Sequence, residues 1–306
     1  TTLTKYVMCY NIPILAPSTV ADIYLLNAAS VLASYLDNNF DGVIDNPTLY
    51  AEFSDGLSGL VVYTDTTEET NLASTLGAFK TQRTTSLYAS EMNSGLGDGY
   101  SNTRDESLER LLKTYIIPKY NTLYPALSTT RQNALTDAMD LARGGYQVGG
   151  YPNYSYPAFA WYTDPVGLSY PNLVIEYLYL LISSYSGAND WRSGLPSLFD
   201  HYTRSLLIAN DTSGVAVITT SAYALPITNK PSHDYWASVT STLGGTSRDI
   251  SFAPAANLTM DANQALKLPS GTNAQRPNVT GGLRYNTDTL AFEGVVNAGA
   301  VALEGI

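Results

Sequence analysis

The chain changes in composition at Ser241, and this change constrains its fold more than any other feature. Before Ser241, apolar residues recur at helical spacing in several segments. After it, short apolar pieces such as "GLRYN" and "LAFEGVV" stand between Gly, Thr, Asn and Pro residues, a pattern typical of short strands joined by turns. We therefore predict an α+β fold with a helix-rich globular domain over 1–240 and a small β-rich module over 241–306.

The first domain begins with a strand and a helix that are readable from the pattern. The segment "YVMCYNIPIL" predicts one buried strand ending at Pro17. Apolar residues from Asp22 to Leu36 repeat at helical spacing, which predicts a helix over that range. Periodicity and stop signals predict four further helices, over Glu106 to Lys113, Thr129 to Ala142, Asn172 to Ser184 and Trp191 to Ile208.

The charge and cysteine content narrow the functional classes. Charged residues make up only 14% of the chain and the net charge is −11, so the surface consists largely of neutral polar groups, as in many extracellular and virion proteins. This balance argues against nucleic acid as a partner. The sequence predicts no membrane span, because no run approaches 18 consecutive apolar residues. Cys9 is the only cysteine, which excludes a disulfide within the chain.

An acidic stretch, "YLDNNFDGVIDNP", directly follows the predicted helix. Its oxygen-bearing residues alternate around Gly42 as in the first five ligand positions of an EF-hand-like Ca²⁺ loop. The candidate ligands are Asp37, Asn39, Asp41, the carbonyl of Val43, and Asp45. The twelfth position is Thr48 rather than a bidentate Glu, so we expect weak affinity, with a Kd of roughly 10⁻⁴ to 10⁻³ M. The alternative is a structural loop of Asx turns without metal.

Sequence motifs for an enzyme are missing. The chain contains no HExxH, CxxC or GxSxG motif, and we predict no catalytic residues. Asp105, Glu106 and Glu109 resemble the solvated start of a helix. His201 and His233 are expected to be helix-surface, turn or satisfied core residues. The aromatic segment 151–162 is expected to pack inside the protein, with a sugar-stacking or receptor-binding surface as the alternative.

Several segments together resemble a family of uncharacterised secreted proteins, abundant in marine genomes, whose members look like metallopeptidases. The resemblance covers roughly residues 10–240, including "IPILAPSTVADIYLLNAASVLASYLDNNFDGVIDNP", "RDESLERLLKTYIIPKY", "DAMDLARGGY", "YPAFAWYTDP" and "IEYLYLLISSYSGA". It implies a metal centre with His at the position of Asn27 and again in the helix containing Lys113, Ile117 and Pro118. Those His residues are absent here, so the resemblance implies a catalytically dead, peptidase-like domain.

A second resemblance covers residues 264–296, "QALKLPSGTNAQRPNVTGGLRYNTDTLAFEGVV". This segment is similar to the pattern LPxGTxAQRP…GxxRYNTDTxxFEG of tail-fibre, neck and other appendage proteins of tailed bacteriophages. "RYNTDT" to "FEGVV" has the character of a hairpin. Such a segment buries little surface by itself, and fibre modules usually intertwine three chains, so the resemblance implies a homo-oligomer, with a trimer favoured.

Together these resemblances lead us to expect a non-enzymatic structural protein of a marine tailed phage, as a fibre, appendage or decoration protein. Its expected partners are other virion proteins and a host surface glycan or protein. Two alternatives remain open. One is a secreted or cell-surface metallopeptidase-like protein of bacterial origin, and the other is a carbohydrate-binding surface module.

Overall fold

The computed structural model describes most of the N-terminal part of the chain and selected strands of the C-terminal part. The described residues are 3–53, 58–76, 84–92, 105–146, 160–163, 167–190, 199–233, 235, 239–242, 249–252, 270–271, 283–288, 291–296 and 299–302. The chain divides into two compact units, Thr1–Ala253 and Pro254–Ile306. Helices and a mixed sheet are both present in the first unit, which confirms the general α+β class.

A four-stranded mixed sheet lies in the first unit. Its strands are β1 (Leu3–Cys9), β2 (Ile12–Pro17), β3 (Gly59–Tyr63) and β4 (Thr84–Tyr88), in the order β1-β2-β3-β4. The β1–β2 pair is antiparallel, whereas the β2–β3 and β3–β4 pairs are parallel. Parallel pairs require crossover connections, and these contain the helices α1 (Asp22–Leu36) and α2 (Pro47–Ala51) before β3, and α3 (Thr66–Leu76) before β4. α1 packs against β1 and β2.

The predicted single strand at the N-terminus is in fact a hairpin. Tyr10 and Asn11 have φ of 46° and 62°, and they form the two-residue connection between Cys9 and Ile12, which pair across it. Left-handed conformation at both central residues matches the twist of flanking strands in a hairpin. The prediction was wrong because Tyr10 has a high strand propensity and no glycine marks the turn.

The remaining helices of the first unit follow the sheet. They are α4 (Glu106–Arg110), a π-helical turn (Leu111–Ile116), α5 (Ile117–Leu123), α6 (Ala134–Ala142), α7 (Tyr170–Ser186), α8 (Arg204–Asn210) and α9 (Thr212–Ile218). Short 3₁₀ turns occur at Ala89–Glu91, Pro125–Leu127 and Ser221–Tyr223, and a hairpin pairs β5 (Val239–Thr242) with β6 (Asp249–Phe252). Among the described residues, no helix has the length and apolar character needed to cross a membrane.

The predicted helix over Asp22–Leu36 is confirmed at both ends, and those over Thr129 to Ala142 and Asn172 to Ser184 are confirmed with shifted bounds. α6 begins later than predicted because Asn133 caps it and forms a reciprocal capping box with Thr136. The prediction over Trp191 to Ile208 is wrong for 199–203, since α8 begins at Arg204 with Thr203 as its N-cap. Residues 191–198 lie outside the described part.

The predicted helix that ended at Lys113 instead continues to Leu123, through Pro118. Pro118 lacks a backbone N–H, and its ring would clash with the carbonyl four residues earlier in a regular α-helix. The π-helical turn that directly precedes it changes the hydrogen-bonding interval. This change allows the helical path to continue where the sequence predicted a stop.

The second unit contains a four-stranded sheet in the order β10-β9-β8-β7. Its strands are β7 (Ser270–Gly271), β8 (Leu283–Asn286), β9 (Ala291–Val296) and β10 (Gly299–Ala302). β8 and β9 pair antiparallel, from Leu283 opposite Gly294 to Asn286 opposite Ala291, which confirms the hairpin expected between "RYNTDT" and "FEGVV". β7 joins β8 in parallel and β10 joins β9 antiparallel.

α7 and α9 pack closely against each other in the core of the first unit, where Gly214 on α9 leaves no room for a side chain. A Cβ on Gly214 would lie 2.7 Å from each of three atoms: Asp211 Oδ2, Leu181 Cδ2 and Tyr177 Oη. The Tyr177 hydroxyl donates to Asp211 at 2.5 Å, and Asp211 also caps α9 by accepting from Gly214 N at 2.9 Å. Position 214 is therefore restricted by its packing.

We predict that Gly214→Ala lowers the free energy of unfolding by about 1–3 kcal/mol, the usual cost of overpacking a core. Chemical denaturation followed by circular dichroism would measure the loss. The matched control is Thr212→Ala on the same helix, where the side chain is exposed and we expect less than about 0.5 kcal/mol. Equal stability of Gly214→Ala and wild type would contradict the packing described above.

Candidate functional site

The acidic loop begins where α1 ends. Asp37 is the C-cap residue of α1 and is fully buried, and the Asp45 N–H donates back to the Leu36 carbonyl at 2.9 Å. Gly42 has φ of 88° with open space around its Cβ position, so the left-handed turn is what makes glycine favourable there. The loop from Asp37 to Asp45 is thereby closed at its base.

The Asp37 carboxylate accepts hydrogen bonds from four donors. Gly42 N donates at 2.8 Å and Asp41 N at 3.2 Å, both from within the loop. The Tyr10 hydroxyl donates at 3.2 Å from the β1–β2 turn, and the Tyr235 hydroxyl donates from the far end of the first unit. Burial and the bond to Asp37 raise the pKa of Tyr235 to about 12, so this hydroxyl keeps its proton at neutral pH.

The central ligand candidates form consecutive Asx turns. Asn39 Oδ1 accepts from Asp41 N at 2.9 Å, and Asp41 Oδ1 accepts from Val43 N at 2.9 Å. Asn39 Nδ2 also donates to Asp41 Oδ2 at 3.1 Å. The Val43 side chain is 66% exposed. These bonds fix the loop backbone through side chains of the loop itself.

The carboxyl pKa of Asp45 is raised in the folded protein. Burial raises the pKa of its carboxyl, and the negative charges of Asp37 and Asp41 raise it further, although a bond from Asn38 N at 2.6 Å opposes the shift. A raised carboxyl pKa in the folded protein means that the ionised form is destabilised at neutral pH. A bound cation would relieve this repulsion.

The oxygen atoms of the loop are of the types that bind Ca²⁺, but their arrangement alone does not make a metal centre. Carboxylate, amide and carbonyl oxygens are the ligands that Ca²⁺ prefers. Among the described residues, however, no three His, Cys, Asp or Glu side chains lie close enough together to hold a metal ion. Calcium binding at Asp37, Asn39, Asp41, Val43 and Asp45 therefore stays a prediction, while the loop's hydrogen bonds already account for its shape.

Two polar side chains bind a distant segment of the chain: Ser34 on the last turn of α1 and Asn38 just beyond the end of the helix, within the acidic loop. Ser34 and Asn38 are both buried. The Asn38 side-chain oxygen accepts from the backbone N–H of Thr228 at 2.6 Å and of Asn229 at 3.0 Å, and Ser34 Oγ accepts from Ser232 N at 3.0 Å. We call residues 228–233 together with Tyr235 the strap. The strap thus joins the loop's Tyr235 contact to the face of α1.

The strap also carries His233 into a buried polar cluster. His233 Nε2 lies 3.1 Å from Asp105 Oδ2, and Asn27 Nδ2 donates to the same oxygen at 3.3 Å. Ser107 N donates to Asp105 Oδ1 at 2.8 Å, so Asp105 also caps α4. Burial would raise the pKa of Asp105, but the His233 contact and the Ser107 bonds outweigh it and lower that pKa below its usual value.

This cluster corrects the expectation that Asp105 lies at a solvated helix start. Asp105 begins a helix as predicted, but it is only 3% exposed rather than solvated. His233 is buried against it, a pairing between residues 128 positions apart that local sequence does not reveal. The metallopeptidase resemblance implies metal-binding His at the position of Asn27 and in the helix that contains Lys113, Ile117 and Pro118. Asn27 hydrogen-bonds Asp105, whereas Lys113 forms ion pairs with Glu109 at 2.9 Å and with Glu176.

The aromatic segment is described only at its end, since 151–159 lie outside the described residues. Trp161 is half-buried against the core, and its ring centroid lies 5.6 Å from that of His201. Tyr162 is fully buried and donates to the Leu173 carbonyl at 3.1 Å. These described aromatics pack inside the unit, as expected.

Comparison with known proteins adds no relative to this picture. No family model, no curated protein and no solved structure matches the chain. Any functional assignment therefore depends on the residues and contacts described above.

We predict that Ca²⁺ raises the melting temperature of the wild type and that Asp45→Asn removes this increase. The amide keeps an oxygen for Asn38 N but removes one of three mutually repelling charges, so in chelator the variant should melt at or above the wild-type temperature. Differential scanning calorimetry with and without chelator measures both effects. The control is Asp137→Asn on exposed α6 surface. An unchanged calcium response in Asp45→Asn would exclude this residue as a ligand.

We also predict that Asp105→Asn destabilises the protein near neutral pH by about 1–3 kcal/mol, because it weakens a buried hydrogen-bonded network. A lowered Asp105 pKa contributes stability that is present above about pH 4, the unfolded value, and is lost as pH falls through the folded value. The gap between variant and wild type should therefore narrow below about pH 4. Denaturant titrations across pH, with Asp137→Asn as control, would test this. A gap that stays constant to low pH would show that the Asp105 charge contributes nothing.

Proposed function

We propose that this chain is a non-enzymatic virion structural protein of a tailed phage, either a fibre, an appendage or a decoration protein. In this proposal, the first unit is a catalytically dead, peptidase-like body that is displayed on the particle. The second unit assembles copies of the chain and attaches them to other virion proteins. The protein would act on the virion, with the extracellular medium or a cell surface as the alternative location.

The observation that carries the proposal is the small sheet formed by β7, β8, β9 and β10 in the second unit. Its described strands have two to six residues each, too little to bury a substantial core by itself. Within the described part of this unit, β7 and β10 are edge strands with one pairing partner each. Open edges are sites for pairing with another chain. The "RYNTDT…FEG" segment that resembles phage appendage proteins contributes the central β8–β9 pair of this sheet.

The contacts of the first unit support a role without catalysis. A catalytic group must reach substrate, yet Asp105 is 3% exposed and His233 is 7% exposed. The His201 ring has the rings of Trp161 and Phe199 as neighbours, with centroids at 5.6 and 6.1 Å. Burial lowers the pKa of His201, so its neutral form is favoured. These features suit structural polar groups better than a reaction centre.

A role in contacting the host belongs to the same proposal. The Tyr-rich part of the aromatic segment, 151–159, supplies rigid aromatic side chains that suit a surface glycan or protein. This part is supported by composition, since 151–159 are not described.

Mass spectrometry and cryo-electron microscopy of purified particles of the encoding phage would test the placement. We expect the chain in stoichiometric amounts on the particle surface. Absence from purified virions, together with peptide hydrolysis that a chelator abolishes, would instead favour the metallopeptidase-like alternative.

We predict that the full chain is a homo-oligomer, with a trimer favoured, and that proline at one of two adjacent positions in β10 dissociates it. Successive N–H groups of a strand point to opposite sides, so Ala300→Pro and Val301→Pro differ in outcome. One removes a bond to β9, and the other removes a donor from the open edge. Native mass spectrometry should show 33.0 kDa monomers for the edge variant with little loss of melting temperature, and the two variants serve as controls for each other. A monomeric wild type would contradict the assembly role.

A further inference from the structure

A cavity of about 290 Å³ opens between the π-helical turn and the N-terminal part of α7. One wall comes from the π-helical turn and the proline after it, and the other comes from α7 and the chain just before it. The described residues that line the cavity are Lys113, Thr114, Pro118, Leu168, Asn172 and Ile175. Small-molecule sites usually measure about 300–1,000 Å³, so this cavity suits one small ring rather than an extended chain.

The π-helical turn leaves a backbone acceptor at the first wall. The Ile117 N–H donates to the Leu112 carbonyl, five residues earlier. The next bond of this series would reach the Lys113 carbonyl, but it would have to come from Pro118, which has no N–H. Within the described range 105–146, the Lys113 carbonyl therefore receives neither of its usual helical hydrogen bonds, from residue 117 or from residue 118. A carbonyl at a cavity wall can accept this hydrogen bond from a ligand.

The Lys113 side chain supplies a donor at the same wall. Its ammonium group pairs with Glu109 at 2.9 Å and with Glu176. Burial would lower the pKa of Lys113, but the charges of the two carboxylates outweigh it and raise that pKa, so the ammonium group stays charged at neutral pH. An ammonium group has three N–H donors. The two carboxylates engage two of them, so the third can serve an acceptor in the cavity.

The groups around the cavity favour a neutral ligand. One ammonium and two carboxylates leave a net negative charge here, which disfavours an anion. A cation would lie against the ammonium group of Lys113, which belongs to the wall. Pro118, Leu168 and Ile175 add apolar surface, and the exposed Asn172 amide offers both a donor and an acceptor. The matching ligand is uncharged, carries hydroxyl groups and has one apolar face.

We propose that this cavity binds a single neutral sugar unit. The hydroxyl groups of a pyranose ring would donate to the Lys113 carbonyl and accept from the Lys113 ammonium group, while its C–H face packs on the apolar wall. A few directed polar groups in an otherwise apolar cavity are the usual arrangement of a small-molecule site. The proposal rests on the role in host contact proposed above, and it names the ligand as a terminal neutral sugar of a surface glycan. One such site binds weakly, with a Kd on the order of 1 mM, and several copies on one particle would raise the avidity.

Saturation-transfer difference NMR on the full-length chain would test the site, with the methyl glycosides of glucose, galactose and mannose and with N-acetylglucosamine as probes. We expect at least one of these sugars to bind with a Kd on the order of 1 mM. Thr114→Trp fills the cavity from an exposed position and should weaken that binding by about tenfold or more.

The matched control is Thr122→Trp, further along the same helical path. Both threonines are exposed, and both donate a side-chain hydrogen bond to the carbonyl four residues earlier. Thr122 does not line the cavity, so the control should bind within about twofold of the wild type.

Pro118→Ala tests the backbone acceptor separately. The alanine N–H can bond the helix carbonyls that proline leaves open. We therefore expect a higher melting temperature together with a sugar affinity about two- to tenfold lower, which corresponds to the loss of one hydrogen bond. Unchanged affinity in this variant would overturn the role of the Lys113 carbonyl.

The outcomes separate this site from the proposed virion role. Sugar binding that survives Thr114→Trp would overturn the cavity as the site. Failure of every neutral sugar to bind at about 20 mM, or binding of only a charged sugar such as sialic acid, would overturn the ligand class. Each of these results leaves a chain that is found on purified virions in place as a structural protein. Absence from virions, combined with sugar binding that Thr114→Trp abolishes, would overturn the virion role and support the site.

Discussion

The hydrogen bonds accepted by the buried Asp37 carboxylate are the interaction on which the described part of the first unit most depends. Removing a carboxylate from water costs several kcal/mol unless hydrogen bonds replace its solvation, so its donors must all be in place together. They come from three places in the sequence: the β1–β2 turn through Tyr10, the loop through the amides of Asp41 and Gly42, and the strap through Tyr235. One side chain thereby links the start of the chain, the end of α1 and the last described part of the helical region. Charge-assisted bonds of this kind are about twice as strong as neutral ones, which suits a junction of three segments.

Sequence reasoning succeeded where the determinants are local. The helix Asp22–Leu36 is set by apolar spacing and by the turn residues that follow it, and both bounds are confirmed. The β8–β9 hairpin is likewise local, since its strands are separated only by a turn. The prediction that side-chain oxygens alternate around a turn in this loop agrees with the structure in one respect. The side-chain oxygens of Asp37, Asn39 and Asp41 accept hydrogen bonds from backbone N–H groups of the loop. Calcium binding by these oxygens stays a prediction.

The sequence failed where partners are distant or where two local preferences compete. Asn38 and Thr228 are 190 positions apart, and no periodicity connects them. Asp105 is flanked in sequence by charged residues, which indicated a solvated helix start. In the fold, its cap role is kept while His233 and Asn27 take the place of water. Tyr10 shows the competing case, because its strand propensity concealed a turn that the twist of the hairpin requires. In each instance tertiary contacts outweighed the local signal.

Two buried polar side chains, Ser34 on α1 and Asn38 just beyond its end, hold the strap in a single register. Apolar contacts alone tolerate small shifts along a helix face, whereas a shift of the strap by one residue would separate Asn38 from two N–H groups and Ser34 from Ser232. Each lost pairing would leave a buried polar group unsatisfied, at a cost of about 1–3 kcal/mol. Polar burial in this position therefore penalises every other register of the strap.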